Sequence, residues 1–258
     1  MRQLNVFTDG EAFAPGCRFH LSGRTAVGLF PSLFILEAWN LKEQDYLKLA
    51  NARLLTVYRG DSCLAYGQVS DVFRRTVPEG TVTTAAFSLG LDLWEAPVSL
   101  SVEAGASVAE TVLQLLAASG TGIQLLSFPG DDPVFTRGQA FCGRAAECIT
   151  EVLSAASVRG YLVLAGLCVI LPDPPEATLH LTEKDLTDRP AYAGGGRKLI
   201  LSTTVTGFQP GEEMTLEYGG KTSSGMILER LTDADTALGP WNTQLLVELH
   251  TAITGGQS

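Results

Sequence analysis

The tripeptide Gly220-Lys221-Thr222 has the residue types that end a phosphate-binding loop. Such a loop needs a glycine five residues before its Gly-Lys pair and a following helix whose N-terminus faces the phosphates. Thr215 stands at the glycine position, and the tripeptide lies between two strand-like stretches. The sequence therefore predicts a hairpin turn here, with nucleotide binding as the less favoured alternative.

Hydrolytic catalysis needs a nucleophile, a general base and an acid that orients the base. The sequence has no Gly-x-Ser-x-Gly elbow, and its three histidines are His20, His180 and His250. His20 lies near an N-terminus that we expect to be irregular, whereas His180 and His250 alternate with apolar residues in predicted strands. We interpret each as a hydrogen-bonded edge or core residue, with a catalytic base as the alternative.

Paired carboxylates are further candidates for acid–base work. We assign them to turns flanked by glycine or proline, where acidic side chains serve solvation and local hydrogen bonds. The pairs are Asp131-Asp132, Glu212-Glu213 and Asp233 with Asp235. Asp131 and Asp132 with Asp173 could also bind calcium, but no EF-hand spacing supports it. The sequence thus predicts no catalytic, cofactor-binding or metal-binding residue.

Two basic clusters could bind anions. Gly194-Gly195-Gly196-Arg197-Lys198 could offer backbone amides and two cations, but three glycines at a domain boundary favour a hinge. Arg74-Arg75 follows a predicted strand. For this pair we expect a solvated strand end or an ion pair between subunits.

The charge of this 258-residue chain restricts its partners. The formal net charge is −10, and 45% hydrophobic with 18% charged residues is typical of a folded chain. Nucleic-acid surfaces and anionic membranes both require clustered cations. We expect neither partner to bind, although DNA could pass an acidic wall without adhering.

The five cysteines are scattered and form no Cys-x-x-Cys pair, so we expect buried free thiols and no disulfide or zinc site. No signal-type apolar stretch follows the N-terminus. The longest apolar run, residues 161–171, has about half the length of a membrane span. We expect a protein that is made in the cytoplasm and does not enter a membrane.

Hydrophobic patterning predicts an α+β, mainly β fold with two small β-barrel domains, residues 1–95 and 191–258, that flank an α/β insert at 96–190. In the insert we expect a helix that Ser107 caps and Gly120 ends, a second helix at 143–156 and a hairpin at 161–171. No internal repeat is visible in the sequence.

The two flanking domains are predicted from strand-like runs that turn residues separate. In the first domain, Asn40 should cap a helix at 41–50. The predicted strands cover residues 33–39, 53–58, 64–70, 81–91, 198–205, 214–218, 224–232 and 241–250.

The order of these segments resembles the baseplate hub proteins of phage tails. Three stretches carry the resemblance: Phe34-Ile35-Leu36-Glu37-Ala38-Trp39-Asn40-Leu41, the hairpin at 53–69, and Phe208-Gln209-Pro210-Gly211 with the strands that follow it. The family includes phage Mu hub-like and late control protein D-like proteins and is related to the N-terminal part of type VI secretion spike proteins. We expect Met214 and Leu216 to be buried and Trp241 to plug a barrel end.

The resemblance implies a structural subunit without enzymatic activity. Three chains would form a pseudo-sixfold ring that joins a hexameric tail tube to a trimeric spike, beside other baseplate proteins, while DNA passes through the lumen unbound. The protein would lie in the tail baseplate of a phage, prophage or contractile injection system, assembled in the host cytoplasm. The alternatives are a tail-associated cell-wall hydrolase and a carbohydrate- or receptor-binding tail-tip module that stacks ligands on Trp39, Trp94 or Trp241.

Overall fold

The computed structural model describes residues 3–28, 31–128, 131–158, 160–164, 167–170, 177–237, 239 and 241–250. The chain divides into two compact units. The first combines both ends of the chain, Met1–Thr25, Leu33–Ser88 and Ala177–Ser258, and the second contains Ala26–Ser32 and Leu89–Glu176.

Strands make up 53% and helices 19% of the structure, which confirms the mainly β class. The helices are α1 (Glu43–Ala50), α2 (Leu91–Glu95), α3 (Val108–Ser119) and α4 (Ala145–Ala155), with 3-10 turns at Glu183–Asp185 and Gly194–Gly196. The strands are β1 (Asn5–Thr8), β2 (Glu11–Phe13), β3 (Phe19–Ala26), β4 (Ser32–Trp39), β5 (Leu54–Arg59), β6 (Ser62–Val77), β7 (Gly80–Leu89), β8 (Pro97–Val102), β9 (Gln124–Ser127), β10 (Gln139–Arg144), β11 (Tyr161–Leu164), β12 (Leu167–Ile170), β13 (Ala177–Thr182), β14 (Ala191–Ala193), β15 (Lys198–Thr203), β16 (Glu213–Tyr218), β17 (Lys221–Asp235) and β18 (Trp241–Leu249).

The expectation of an irregular N-terminus was wrong, because β1, β2 and β3 precede Pro31. β1 and β2 form a hairpin in which Thr8 faces Glu11 across the two-residue turn Asp9-Gly10. Both turn residues have positive φ, 49° and 84°. Asp-Gly is a strong sequence signal for such a turn, so the sequence did contain the information.

The strands of the first unit belong to one large sheet. Its order is β14-β15-β18-β17-β3-β4-β7-β6-β5-β1-β2, and a branch of β13 and β16 joins it beside β17. β13 and β16 run parallel to each other. The sheet does not close on itself, so two closed barrels stay a prediction.

Two parts of this sheet repeat the same strand order. In the N-module (β3–β7) the order is β3-β4-β7-β6-β5, and in the C-module (β14–β18) it is β14-β15-β18-β17-β16. In each module the first two strands form a hairpin, and the second strand also pairs with the fifth. The fifth strand then pairs with the fourth, and the fourth pairs with the third. The structure therefore contains a repeat that the sequence does not reveal.

The fourth strands of the modules, β6 and β17, are also built alike. β6 pairs with β5 through its first part and with β7 through its second, and β17 changes from β16 to β18 in the same way. Gly67 and Gly225 stand where the partner changes, and a Cβ at either position would clash with a backbone oxygen of the following strand. A register shift follows in both strands, at Asp71 and at Glu229, each four residues after its glycine. Glycine and a bulge are the devices by which long strands bend.

In the part of the chain that the structure describes, buried side chains form three separate hydrophobic clusters. One lies within residues 4–87, one within 93–170 and one within 181–249. Met214 and Leu216 are both 1% exposed in the last cluster, which confirms their predicted burial.

The second unit contains the predicted helices and hairpin. Ser107 Oγ accepts the backbone N–H of Glu110 at 3.1 Å, and Gly120 ends α3 with a φ of 66°. Because these are local signals, the start and end of α3 were predictable. α4 covers nearly the predicted range, and β11 pairs with β12 as the expected hairpin. The hairpin's turn, residues 165 and 166, lies outside the described residues.

Asn40 is not the predicted helix cap. α1 begins at Glu43, and Asn40 instead adopts a φ of 54°. Its side-chain oxygen accepts the backbone N–H of Thr81 at 3.0 Å, so it joins β4 to β7. Of the cysteines expected to be buried, Cys148 and Cys168 are buried, whereas Cys17 and Cys63 are half-buried and Cys142 is exposed.

Candidate functional site

The N-module and the C-module meet where β3 lies beside β17. Among the described residues, three ion pairs cross this boundary, which we call the β3–β17 seam. Arg18 contacts Asp235 at 2.7 Å, His20 contacts Asp233 at 2.6 Å, and Arg24 contacts Glu229 at 2.7 Å. The partners are more than 200 residues apart in the chain, so the seam ties both of its ends into one unit.

His20 is the centre of the seam's charge network. Its Nε2 faces Asp233, and its Nδ1 lies 3.2 Å from Glu37 Oε2. Arg75 donates to the other oxygen of Glu37 at 2.7 Å. Burial lowers the pKa of His20, but the hydrogen bonds to Asp233 and Glu37 outweigh burial and raise the pKa above its ordinary value. When the ring is protonated, both nitrogens donate to these carboxylates, so each nitrogen of His20 has a partner within the seam.

Arg18 and Asp235 form the most enclosed pair of the seam. The Asp235 side chain is 6% exposed and also accepts the backbone N–H of Ala237 at 2.7 Å. Burial by itself would raise the pKa of Asp235. The hydrogen bonds from Arg18 and Ala237 together outweigh burial and lower the pKa below its ordinary value, so the carboxylate stays ionised. Arg18 also lies 4.0 Å above the ring of Trp39.

Arg230 makes a second connection between the two chain ends. It is 4% exposed, and it donates to the backbone oxygens of Leu64 at 2.6 Å and Phe208 at 2.9 Å. Burial lowers the pKa of Arg230 to about 10, so the side chain is still a cation at neutral pH. A buried cation that donates to two main-chain oxygens fixes the positions of the segments that supply them.

Trp241 and Arg59 extend this connection. The Trp241 side chain packs against the hydrophobic cluster of residues 4–87, and the Arg59 guanidinium lies 5.0 Å from the centre of its ring. Arg59 also donates to the backbone oxygen of Thr204 at 2.8 Å. We expected Trp241 to plug the end of its own barrel, but it packs on the N-terminal core instead.

The remaining predicted histidine sites are internal contacts. His250 Nε2 lies 2.5 Å from a carboxylate oxygen of Glu213, which is 3% exposed. His180 Nδ1 is hydrogen-bonded to the Thr215 hydroxyl. Glu212 accepts the backbone N–H of Gln209 at 3.1 Å.

The assignment of the acidic pairs to turns was partly wrong. Asp233 and Asp235 lie in β17 and Glu213 lies in β16, because their partners are residues distant in sequence. Asp132 accepts the backbone N–H of Ala109 at 2.9 Å and so caps α3. Asp173, the third residue of the possible calcium site, lies outside the described residues.

The basic clusters make contacts within the chain. Arg74 and Arg75 lie near the end of β6 and pair with Glu43 and Glu37, and the Arg75 side chain is 56% exposed, so an ion pair to another subunit stays a prediction. Gly194–Gly196, with φ of 58°, 67° and 80°, form the loop between β14 and β15 and not a hinge between domains.

The motif Gly220-Lys221-Thr222 lies in a hairpin, as predicted. Tyr218 of β16 faces Lys221 of β17 across Gly219-Gly220, and the two glycines have φ of 58° and 74°. No helix follows this turn, so the geometry of a phosphate-binding loop is not formed.

Neither metal ligation nor membrane crossing has support in the described part of the chain. Its His, Cys, Asp and Glu side chains form no group of three or more that could hold a metal ion. None of its helices is long and apolar enough to span a membrane.

Several strand edges of the first unit are open among the described strands, including those of β2 and β13, each of which has one strand neighbour. β14 has β15 on one side only, and its Tyr192 is 48% exposed. The second part of β6, residues 69–77, has β7 on one side, while β5 pairs only with the first part. Open edges offer unpaired backbone groups to another chain.

Comparison with solved structures identifies the fold. A tail protein of Neisseria meningitidis matches with a TM-score of 0.74 at 10% identity over 97% of both chains. The 43 kDa tail protein of prophage MuSo2 of Shewanella oneidensis matches with a TM-score of 0.69 at 10% identity over 95% of this chain and 97% of that one. An E. coli type VI secretion component, described as structurally similar to the T4 tail proteins gp27 and gp5, matches with a TM-score of 0.65 at 10% identity over 98% of this chain and 79% of that one.

The sequence itself matches no protein-family model and no curated protein. At 10% identity the structural matches establish the fold, and they agree with the resemblance found in the sequence. The chain has the fold shared by these phage tail proteins and the type VI secretion component.

Proposed function

We propose that this chain is a structural subunit of the baseplate hub of a phage or phage-like tail. Three copies form a ring with pseudo-sixfold symmetry, which joins a hexameric tail tube to a trimeric spike. The subunit performs no catalysis and works by assembly. The similar solved structures include tail proteins and a type VI secretion component that match over nearly the whole of this chain, which supports a tail location.

The observation that carries the proposal is the repeat of the N-module and the C-module. Both have the same order of five strands, and their fourth strands share the glycine and the register shift at the same spacing. Three chains with two such modules each contain six similar units. A ring of this kind can match threefold symmetry on one face and sixfold symmetry on the other.

We also propose that the chain acts as three parts, residues 1–95, 96–190 and 191–258, with the outer parts as two barrel-like domains around the middle one. The three separate hydrophobic clusters support this division, since each falls almost entirely within one part. The seam then joins the outer parts side by side in the ring.

A non-catalytic role is supported by the use that the chain makes of its chemically capable residues. His20, His250 and Asp235 are engaged in pairs that hold strands together, and Asp132 caps a helix. The proposed partners are tail tube, spike and other baseplate proteins, and DNA passes through the lumen without specific binding. The net charge of −10 suits a passage to which DNA does not adhere.

The alternative of a ligand-stacking module finds less support. Each tryptophan has an arginine near its ring: Arg18 at 4.0 Å from Trp39, Arg144 at 4.7 Å from Trp94 and Arg59 at 5.0 Å from Trp241. These cation–π contacts occupy a ring face that a sugar would need.

Labelled electron microscopy of tail particles tests the proposed function. A tag on the chain should appear where the tube meets the spike, and particles that lack the chain should show tubes without spikes. Label along the tube, or on peripheral fibres, would overturn the proposal.

A further inference from the structure

The β3–β17 seam is a contact between the first strand of one module and the fourth strand of the other. Within one chain this contact occurs once, from the N-module's β3 to the C-module's β17. The reciprocal contact would join the first strand of a C-module, β14, to the fourth strand of an N-module, β6. In the described chain each of these strands has an edge without a strand neighbour, β14 along its length and β6 over residues 69–77.

The correspondence between β6 and β17 can be followed residue by residue. Both strands begin after a two-residue turn, since Arg59 faces Ser62 and Tyr218 faces Lys221. From the matched glycines, Asp71 corresponds to Glu229, Phe73 to Leu231 and Arg75 to Asp233. Glu229 and Asp233 are the seam residues that bind β3, so the corresponding part of β6 is the part whose outer edge is open.

The correspondence between β3 and β14 rests on their hairpins. β3 pairs antiparallel with β4, and β14 pairs antiparallel with β15. The segment before β14 also follows β15, because Thr187 donates its backbone N–H to Ser202 at 2.9 Å and Leu186 bridges to Thr203. Residues 186–193 therefore form an arm beside β15, in the position that β3 has beside β4.

We propose that β14 of one copy pairs with the open edge of β6, residues 69–77, of the next copy and repeats the β3–β17 seam between chains. The inference rests on the proposed function and names the contact that closes its ring. The two surfaces differ, so each copy uses one to donate and one to receive, and such head-to-tail contacts generate rings or filaments. In the proposed ring of three chains each chain supplies two of six similar steps, one within the chain and one to the next chain.

The side chains predict how the new contact differs from the seam. The seam has three ion pairs, whereas β14, Ala191-Tyr192-Ala193, carries no charge. On β6, Phe73 is 46% exposed at the position of Leu231, which is 39% exposed. Main-chain hydrogen bonds and apolar contact should therefore dominate between chains, and salt should weaken the assembly little.

Cysteine cross-linking tests this contact, in a chain whose exposed Cys142 is replaced by Ser. Ala191→Cys or Ala193→Cys is combined with Asp71→Cys or Phe73→Cys, which samples the registers in which a disulfide can form. Under mild oxidation at least one combination should give covalent trimers on a denaturing gel, and single-cysteine variants should not. Ala193→Cys with Leu231→Cys is the matched control, because β3 already occupies the edge of β17.

A second pair of variants tests the same contact if the cysteine variants fold poorly. Phe73→Asp should reduce the trimer to monomers, whereas Leu47→Asp, at a residue that is 50% exposed on α1, should leave it intact. A trimer that persists in Phe73→Asp and never cross-links through β14 would overturn this contact and leave the proposed function standing. Chains that stay monomeric in solution and within tail particles would overturn both.

Discussion

His20 and Asp233 are 213 residues apart in the chain, yet His20 Nε2 and Asp233 Oδ1 lie 2.6 Å apart across the β3–β17 seam. One residue precedes the middle segment of the chain and the other follows it. The contact therefore couples the folding of the two chain ends, and it places a titratable group at their boundary.

The seam should become less stable as the pH rises. The pKa of His20 is raised in the folded state. The stability that its protonated ring contributes is therefore fully present below the pKa of about 6.5 in the unfolded chain, and it is lost as the pH rises through the pKa in the folded chain. Hydrogen bonds to charged groups contribute about 1.5–3 kcal/mol, and solvent screening at the 49% exposed Asp233 places this pair at the lower end. Urea unfolding of the wild type and His20→Gln should show the largest difference in unfolding free energy near pH 6.

The groups that face His20 are Asp233 of β17 and Glu37 of β4, which Arg75 of β6 also binds. The difference between wild type and His20→Gln should therefore shrink at alkaline pH. A difference that is constant from pH 6 to alkaline pH would show that the imidazolium makes no such contribution.

Arg230 should be far more important for stability than an exposed arginine. Arg230→Met leaves the backbone oxygens of Leu64 and Phe208 without their donors inside the protein. We expect a loss of about 2–4 kcal/mol in unfolding free energy, measured by the denaturant midpoint. Arg189→Ala, at an exposed position, is the control and should change it by less than about 0.5 kcal/mol. Equal effects of the two substitutions would contradict the role given to Arg230.

The matched glycines should be equally intolerant of a side chain. In Gly67→Ala and Gly225→Ala the new Cβ would clash with the backbone oxygens of Ser88 and Glu248. Each substitution should cost about 1–3 kcal/mol, because the backbone must shift to relieve the clash. Thermal unfolding provides the measurement, and Ser224→Ala, at an exposed residue beside Gly225, should be nearly neutral. A neutral effect at one glycine alone would weaken the equivalence of the modules.

Asp132 should contribute to the stability of the second unit and have no role in catalysis. Asp132→Ala removes the acceptor for the Ala109 N–H at the start of α3 and should destabilise the second unit by about 1 kcal/mol. Asp131→Ala is the matched control at the neighbouring exposed position. Neither the wild type nor either variant should release soluble fragments from purified cell walls. Release by the wild type that is lost in Asp131→Ala or Asp132→Ala would favour the hydrolase alternative.

Features with local causes could be read from the sequence. The cap at Ser107, the end of α3 at Gly120 and the turn at Gly219-Gly220 each depend on a few neighbouring residues. The roles of Asp233 and Asp235 could not be read in this way, because their partners His20 and Arg18 lie at the opposite end of the chain. Composition alone therefore favoured turns for these two residues.

The repeat of the modules was hidden for a related reason. Its equivalent positions share strand order, a glycine and a bulge, whereas their side chains differ, as Phe73 and Leu231 or Arg75 and Asp233 show. Sheet topology requires only suitable burial and turns, so similar modules can lose sequence similarity. The mainly β class and the helices and hairpin of the middle segment were predictable, but the seam and the open edges of β14 and β6 required the structure.

The most direct test of the hub is the number of copies of this chain in each purified tail particle. Quantitative mass spectrometry, with the tube and spike proteins of the same particle as internal references, gives this number. A ring of three chains requires three copies for each trimeric spike. A count of one or of six copies would contradict it, because neither can supply six modules in a single ring.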